Sequence, residues 1–349
     1  MNFELAKPTT SGIASIPSNK ASVMSKVSLK NLIKKHSKSL GFDLVGFSPI
    51  DVNDEAFAQY KNWLQNEFEA DMSYMSEEAR AQKRSSADNL LENAKTVISL
   101  AVNYYHDQPP LPKNHGRIAR YAYGRDYHKT ISKNLKKLEE FIQENTNGKT
   151  ISYVDTGPIL ERTFATQAGL GFIGKNTCLI TDEFGSWVFL AEIITNLEIQ
   201  PRGPKSPTCK KINPGVKCGS CTKCIDACPT GAIKRLPNGT YAIDANLCLS
   251  YHTIENREPS LPPKSQKAIH KTKRIFGCDI CQEVCPHNCR AKSAHANTAT
   301  TPKPIAGSSL PLAKIASLKT DEEFTKAFAG SPIMRAKRKN LQRNAGYLT

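Results

Sequence analysis

Apolar positions over the first two hundred residues switch between the period of a helix and that of a strand. In "SLKNLIKKHSKSL" (28–40), Leu29, Leu32, Ile33 and Leu40 share one helical stripe, and Gly41 follows as a C-cap. The next piece, "FDLVGFS", reads as a strand. "TVISLAVNYY" (96–105) is a second strand and "ISKNLKKLEEFIQENTNG" (131–148) an amphipathic helix closed by Asn-Gly. "TISYVD" (150–155) and "SWVFLAEIIT" (186–195) are further strands. Between them "TGP" turns into "ILERTFATQAGL", with Pro158 expected at the first helical position. This alternation predicts an α/β or α+β catalytic-type domain over residues 27–200.

From Pro201 the periodicity fades into Pro, Lys and Cys until near His287. A stretch of that length stays compact only if something inorganic replaces the core, so residues 201–290 are expected to fold around metal. Residues 291–313 read as a flexible Ala/Thr/Pro/Ser-rich linker. Two short helices, "TDEEFTKAFAG" and "SPIMRAKRKNLQRN", complete a 291–349 segment. The second is strongly basic; a solvated face is its ordinary meaning and nucleic-acid contact the alternative. The Ser/Thr-rich residues 1–26 read as a disordered arm, with an organelle-targeting segment as the alternative and Met24 as a plausible true start.

Composition narrows the class. No run of about 18 apolar residues exists, so nothing in the sequence spans a bilayer as a helix. A chain of 349 residues buries a core without crosslinks, and with no secretory signal its 11 cysteines point to a reducing, cytoplasmic setting. Nine of them fall between residues 218 and 289, which favours metal ligation over disulfides. The formal charge of +16 serves solubility or a polyanionic partner. With no long apolar edge or heptad, a monomer is expected.

Cys218, Cys221, Cys224 and Cys228 form C-x2-C-x2-C-x3-C, with Pro229 after the last. That is the ferredoxin run, in which three thiolates hold one 4Fe-4S cluster and the fourth crosses to another. Zinc prefers two separated CxxC pairs and needs neither the third cysteine nor the proline. The crossing demands a second site, and "FGCDICQEVCPHN" supplies Cys278, Cys281 and Cys285, again followed by Pro. Cys248 in "NLCLSYHT" is the natural eighth ligand, with Cys289 as its competitor. Cluster one then takes Cys218, Cys221, Cys224 and Cys285; cluster two takes Cys228, Cys248, Cys278 and Cys281. Cys178 and Cys209 remain as free thiols. Clusters only relay electrons, so the preceding domain must hold the acceptor. "GLGFIG" (169–174) has dinucleotide-binding spacing but follows a helix rather than a strand, which disfavours nicotinamide or flavin.

"ARYAYGRDYHK", "VDTGPILERTFATQAGLGFIGKNTCLI", "GSWVFLAEI", "CGSCTKCIDACPTGAI", "CLSYHTIENRE" and "IFGCDICQEVCPHN" together resemble the epoxyqueuosine reductases, from about Leu29 to Asn344. The resemblance implies a cobalamin-binding domain followed by a ferredoxin-like double 4Fe-4S domain and short C-terminal helices. It implies an oxidoreductase that turns epoxyqueuosine into queuosine at the wobble position of tRNA, fed by an external one-electron donor such as flavodoxin or ferredoxin. Asp155 matches the family's proton donor. On the residues alone it reads as a helix N-cap ahead of Pro158, and as an acid it would need burial to raise its pKa.

The corrin is expected against Arg120, Tyr121, Tyr127, His128, Arg162, Lys175, Asn176, Thr177 and Ser250, with His128 not required on cobalt. Tyr104, Tyr105, Tyr251 and Trp187 offer stacking surfaces for a splayed anticodon loop, and Lys271, Lys273 and Arg274 are the expected tRNA contacts. The corrinoid reductive dehalogenases, relatives of that family, are one rival reading, although no Arg-Arg export signal occurs in residues 1–26. A substrate-free electron-transfer ferredoxin is the other, and the large first domain argues against it.

Overall fold

The computed structural model describes residues 26–52, 54–200, 215–289, 291 and 304–349. The arm expected at 1–26 (Lys26 apart), Cys209 and residues 292–303 of the expected 291–313 linker lie outside the described residues. Four of the expected strands form one sheet in the order Leu44–Ser48, Thr96–Asn103, Val188–Thr195, Thr150–Tyr153, every neighbour antiparallel. The domain is therefore α+β. Its central strands read as near-continuous apolar runs because helices cover both faces. On one face Ile98, Leu100 and Ile193 pack against Leu29 and Ile33 of helix Lys26–Ser39 and Ile131, Leu135, Leu138 and Ile142 of helix Tyr127–Asn145.

On the other face Val97 and Ile194 pack against Phe164 of helix Glu161–Gln167. That helix lies close because Gly46 has no side chain: a Cβ there would stand 2.5 Å from the Ala168 carbonyl oxygen. Two boundaries differ from the sequence expectation. Helix Tyr127–Asn145 starts at Tyr127 rather than residue 131, because Asp126 caps it by accepting the His128 N–H at 3.0 Å. Pro158 is not at a first helical position. The helix begins at Glu161 behind Leu160, and Asp155 lies upstream in a loop, so the N-cap reading of Asp155 fails.

In the cysteine-rich part the short helices Lys223–Asp226 and Ile280–Glu283 each carry a cysteine as their second residue, Cys224 and Cys281, and they pack on one another. A second sheet ties the chain together. Arg274–Phe276 runs parallel to His115–Ile118, which pairs antiparallel with Ser309–Pro311. Each strand comes from a different one of the three expected segments. The expected 291–313 linker is thus structured at its end, with strand Ser309–Pro311 leading into helix Leu312–Ser317.

The basic helix Lys337–Gly346 buries Asn340, Leu341, Asn344 and Ala345. Asn344 is fully buried, and its amide donates to the carbonyls of Thr253 and Ile275, both at 2.9 Å. Arg343 donates to the His252 and Asn256 carbonyls at 2.8 and 3.2 Å. This helix closes the cluster-side core, while its outer lysines, Lys337 and Lys339, face solvent. Replacing Asn344 with Ala strands two buried carbonyls at about 1–3 kcal/mol each. Denaturant unfolding should show a loss of about 2–4 kcal/mol, and a loss below about 0.5 kcal/mol would contradict this packing role.

Candidate active site and cluster-binding cysteines

Where strand Thr150–Tyr153 ends, Asp155 takes a left-handed backbone (φ +59°), a conformation that Asp tolerates better than most residues. Its N–H donates to Glu161 Oε1 at 2.6 Å, which pins the loop to the start of the following helix. Its carboxyl is left pointing outward, 59% exposed. The Tyr127 hydroxyl donates to Asp155 Oδ2 at 2.7 Å, and His128 Nε2 lies 3.2 Å from the same oxygen. The other ring nitrogen, Nδ1, sits 2.7 Å from Asp126 Oδ1. Beside them Arg162 donates to the Thr177 carbonyl at 2.6 Å and to its hydroxyl at 3.2 Å, with Thr177 itself left-handed at φ +60°.

The electrostatics reverse one expectation. Burial pushes the Asp155 carboxyl upward, but hydrogen bonds from His128 and Tyr127 and the charges of His128 and Arg162 outweigh it, leaving Asp155 below the ordinary carboxylate range. His128 moves the other way: burial pulls it down, yet its bonds to Asp126 and Asp155 hold it up at about 9. At neutral pH the proton of this pair rests on the imidazole. The high-pKa, desolvated Asp155 expected from the sequence is not the resting state of this loop.

The cysteines fall into two neighbourhoods. Cys224 lies within electrostatic reach of Cys218, Cys221 and Cys285, and Cys285 within reach of Cys218 and Cys221. Cys248 neighbours Cys228 and Cys278 neighbours Cys248, while Cys281 neighbours Cys278 and Cys248 but also Cys178 and Cys224, where the two groups meet. Burial pushes Cys224 up to about 11 and Cys278 up to about 12, so each holds its proton until a cation displaces it. Cys228 goes down instead: burial opposes this, but N–H groups converge on its sulfur, Ala232 N at 3.3 Å among them. At Cys248 burial wins and holds the thiol above its ordinary value, although backbone N–H groups of Tyr251 and Ser250 oppose it. Among the described residues no three Cys, His, Asp or Glu side chains close around a single-ion position. Cys289 is exposed and Cys178 half-buried.

The other expected site residues separate into two groups. Tyr127, His128, Arg162 and Thr177 gather around Asp155, with Tyr121 packed edge-on against Tyr127 at 6.2 Å. Lys175, Asn176 and Arg120 face the cysteine runs. Lys175 is buried, and its ammonium donates to the Gly219 and Cys221 carbonyls at 2.7 and 2.9 Å. Asn176 donates to the Cys281 carbonyl at 3.4 Å. Arg120 pairs with Glu283 at 2.7 Å, and its N–H donates to Asp279 at 2.8 Å. These three are structural staples between the domains.

Arg274 is corrected as a tRNA contact: it is buried against Glu283, while Lys271 is exposed and Lys273 half-buried at a helix C-cap. Trp187 and Tyr251 are buried, and Tyr104 is half-buried with its hydroxyl 3.5 Å from Gln282, so none of these offers a stacking face; Tyr105 is half-buried. Sequence reasoning missed Asp126, Glu161 and Glu192. Only Glu192 left a signal, as the lone acid in the apolar run "VFLAEII".

Residues 84–156 match the family model described as epoxyqueuosine reductase QueG, DUF1730, and residues 217–288 match the 4Fe-4S double cluster binding domain. The chain is 39% identical over 317 residues to the epoxyqueuosine reductase of Gloeobacter violaceus, covering 90% of this chain and 93% of that one. The chain belongs to the epoxyqueuosine reductase family. Its members are oxidoreductases, and the Synechocystis epoxyqueuosine reductase is 38% identical over 86% of this chain and 98% of that one. A crystal structure of epoxyqueuosine reductase with an epoxyqueuosine-modified tRNA-Tyr stem loop matches at a TM-score of 0.79 and 30% identity, over 93% of this chain and 81% of that one. The Bacillus subtilis reductase, solved with its catalytic aspartate loop swung out of the active site, matches at 0.78 and 30%, over 93% and 82%. Among the described residues no helix is long and apolar enough to cross a membrane.

The His128 imidazolium makes a pH prediction whose sign follows from its raised pKa. Its contribution to stability is complete below the ordinary histidine value of about 6.5 and is lost as pH rises through about 9. Unfolding free energies at pH 7 and pH 10 should differ more for the wild type than for His128→Asn at equal cluster content. Equal differences would contradict the charged pair.

Proposed function

We propose that this chain reduces epoxyqueuosine to queuosine in tRNA, with Asp155 delivering a proton to the departing epoxide oxygen. The observation that carries this reading is the Tyr127–Asp155–His128 arrangement: an outward-facing carboxyl with a proton held one hydrogen bond away. Removing an epoxide oxygen as water takes two electrons and two protons and leaves a carbon–carbon double bond. The electrons pass one at a time from an external donor such as flavodoxin or ferredoxin through two 4Fe-4S clusters. We assign cluster one to Cys218, Cys221, Cys224 and Cys285 and cluster two to Cys228, Cys248, Cys278 and Cys281.

A cobalamin bound over Asp155 would supply the reduced metal centre that opens the epoxide. The residues present suit it: the exposed carboxyl is rimmed by Tyr121, Tyr127, His128, Arg162 and Thr177, which offer the hydrogen-bonding groups that a corrin's amide arms need. Covering Asp155 strips it of water, and a buried charge pair loses its advantage over a neutral one. The proton then moves from His128 Nε2 to Asp155 Oδ2 along the existing contact. Tyr127 keeps the carboxyl oriented throughout. The charge of +16 suits a polyanionic substrate, and the exposed Lys271 with the half-buried Lys273 are the contacts we retain for tRNA. The protein acts in the cytoplasm as a monomer in this reading.

Two measurements test it. Asp155→Asn should keep the iron and corrin content of the wild type and lose at least ~100-fold in reduction of epoxyqueuosine-containing tRNA. Wild-type turnover in that variant would remove Asp155 from the chemistry. Cys248→Ser should drop the iron content of anaerobically reconstituted protein from about eight atoms to about four, and Cys289→Ser should leave it unchanged. The reverse pattern would exchange the two cysteines.

A further inference from the structure

Glu192 stands in the middle of strand Val188–Thr195, with Ser99 opposite it on one neighbouring strand and Tyr153 on the other. It is 0% exposed, and neither of its oxygens meets a hydrogen-bond donor; the Ser99 hydroxyl beside it is unpartnered as well. The charges it feels are those of Glu161 and Asp155, both negative. An ionised carboxylate is not sustained in such a place. Glu192 does face the Glu161 side chain at hydrogen-bonding range, and two carboxyls form a hydrogen bond only when one carries a proton. Glu161 in turn accepts the Asp155 N–H at 2.6 Å. A buried acid, a half-buried acid and the exposed Asp155 therefore stand in line from the sheet interior to the mouth of the site.

We propose that Glu161 and Glu192 share a single proton, and that this proton, passed through Glu161, recharges Asp155 for the second protonation of each turnover. The first half is independent of the reaction; the second rests on the epoxide reduction proposed above. Burial and the charge of Asp155 push Glu161 up to about 7, and burial with the facing Glu161 pushes Glu192 well above the carboxylate range, in keeping with one retained proton.

The balance of the reaction calls for such a store. Both carbon–oxygen bonds of the epoxide break, a carbon–carbon double bond forms, and two electrons arrive from the one-electron donor. The oxygen leaves as water and needs two protons, whereas the His128–Asp155 pair holds one. After the first transfer Asp155 is a carboxylate beside a neutral imidazole. The proton of the glutamate pair then reaches it from Glu161, directly or through one water. Glu161, half-buried, recovers a proton from solvent between turnovers. Neither glutamate touches substrate; both act through Asp155.

The shared proton is read without turnover, by the infrared band of a protonated carboxyl in the full chain with its clusters at pH 7. The band should shift on exchange into heavy water, be absent from Glu192→Gln, and move in frequency in Glu161→Gln, where the Glu192 carboxyl faces an amide instead of its carboxyl partner. No such band in the wild type, its survival in Glu192→Gln, or an unmoved band in Glu161→Gln overturns the shared proton. Each variant puts an amide of the same shape in place of the carboxyl; should Glu192→Gln fail to fold, the frequency shift in Glu161→Gln, at the start of its helix, reads the contact between the two carboxyls. With iron and corrin content unchanged, kcat on epoxyqueuosine-containing tRNA should fall at least ~10-fold in each variant with KM held, and the solvent isotope effect should rise. The expected band changes with unchanged kcat overturn the reserve. A wild-type band without any reduction of that tRNA overturns the function and leaves the shared proton standing.

Discussion

The buried ammonium of Lys175 is the contact on which the arrangement of the two halves depends. The first cysteine run and its short helix bury almost nothing of their own, so they need an outside anchor. Lys175 provides it by donating to the carbonyls of Gly219 and Cys221, inside the ferredoxin run. One residue on, Asn176 reaches the Cys281 carbonyl of the second run, and Arg120 grips Asp279 and Glu283 alongside. Gly185 completes the seam. Its left-handed backbone (φ +57°) lets Asn288 come in so close that a Cβ would stand 1.9 Å from the Asn288 side-chain oxygen. Each of these contacts fixes a cysteine loop relative to the sheet that carries Asp155.

The same economy of charge shapes the acid site. Asp155 sits between a cationic layer, His128 and Arg162, and an acidic layer, Glu161 and Glu192. The cations hold its resting carboxyl ionised, and the acids beneath are kept from ionising together. Protons are therefore stored on both sides of a carboxylate that faces outward. The loop is adapted to holding protons near a reactive face rather than to holding one on Asp155 itself.

Much of this was legible in the chain. Four strands and three helices of the first domain follow from apolar periodicity because that sheet is covered on both faces. A double-cluster domain follows from spacing, since a run of four with a trailing proline forces the search for a second run; the division of the cysteines between the clusters is our proposal. What periodicity could not show was pairing between distant segments. His115–Ile118, Arg274–Phe276 and Ser309–Pro311 are strands of three or four residues, too short to signal, and they form only because they meet. Arg274 reads as a tRNA contact and the basic terminal helix as a solvated face, because charge in a sequence does not say which residues are buried. Asp155 looked like a helix cap because nothing local shows that the helix waits until Glu161. The role proposed for it came from resemblance, and its electrostatics came only from the structure.

The central claim is that electrons gathered by the cysteine domain are spent at Asp155 on a modified base in tRNA. Its most direct test is mass spectrometry of the nucleosides from epoxyqueuosine-containing tRNA, after anaerobic incubation with the reconstituted protein and a one-electron reductant. The account predicts loss of one oxygen from the modified nucleoside when clusters and cobalamin are both present, and none when either is withheld. Conversion by iron-free protein, or no conversion by fully loaded protein, would contradict it.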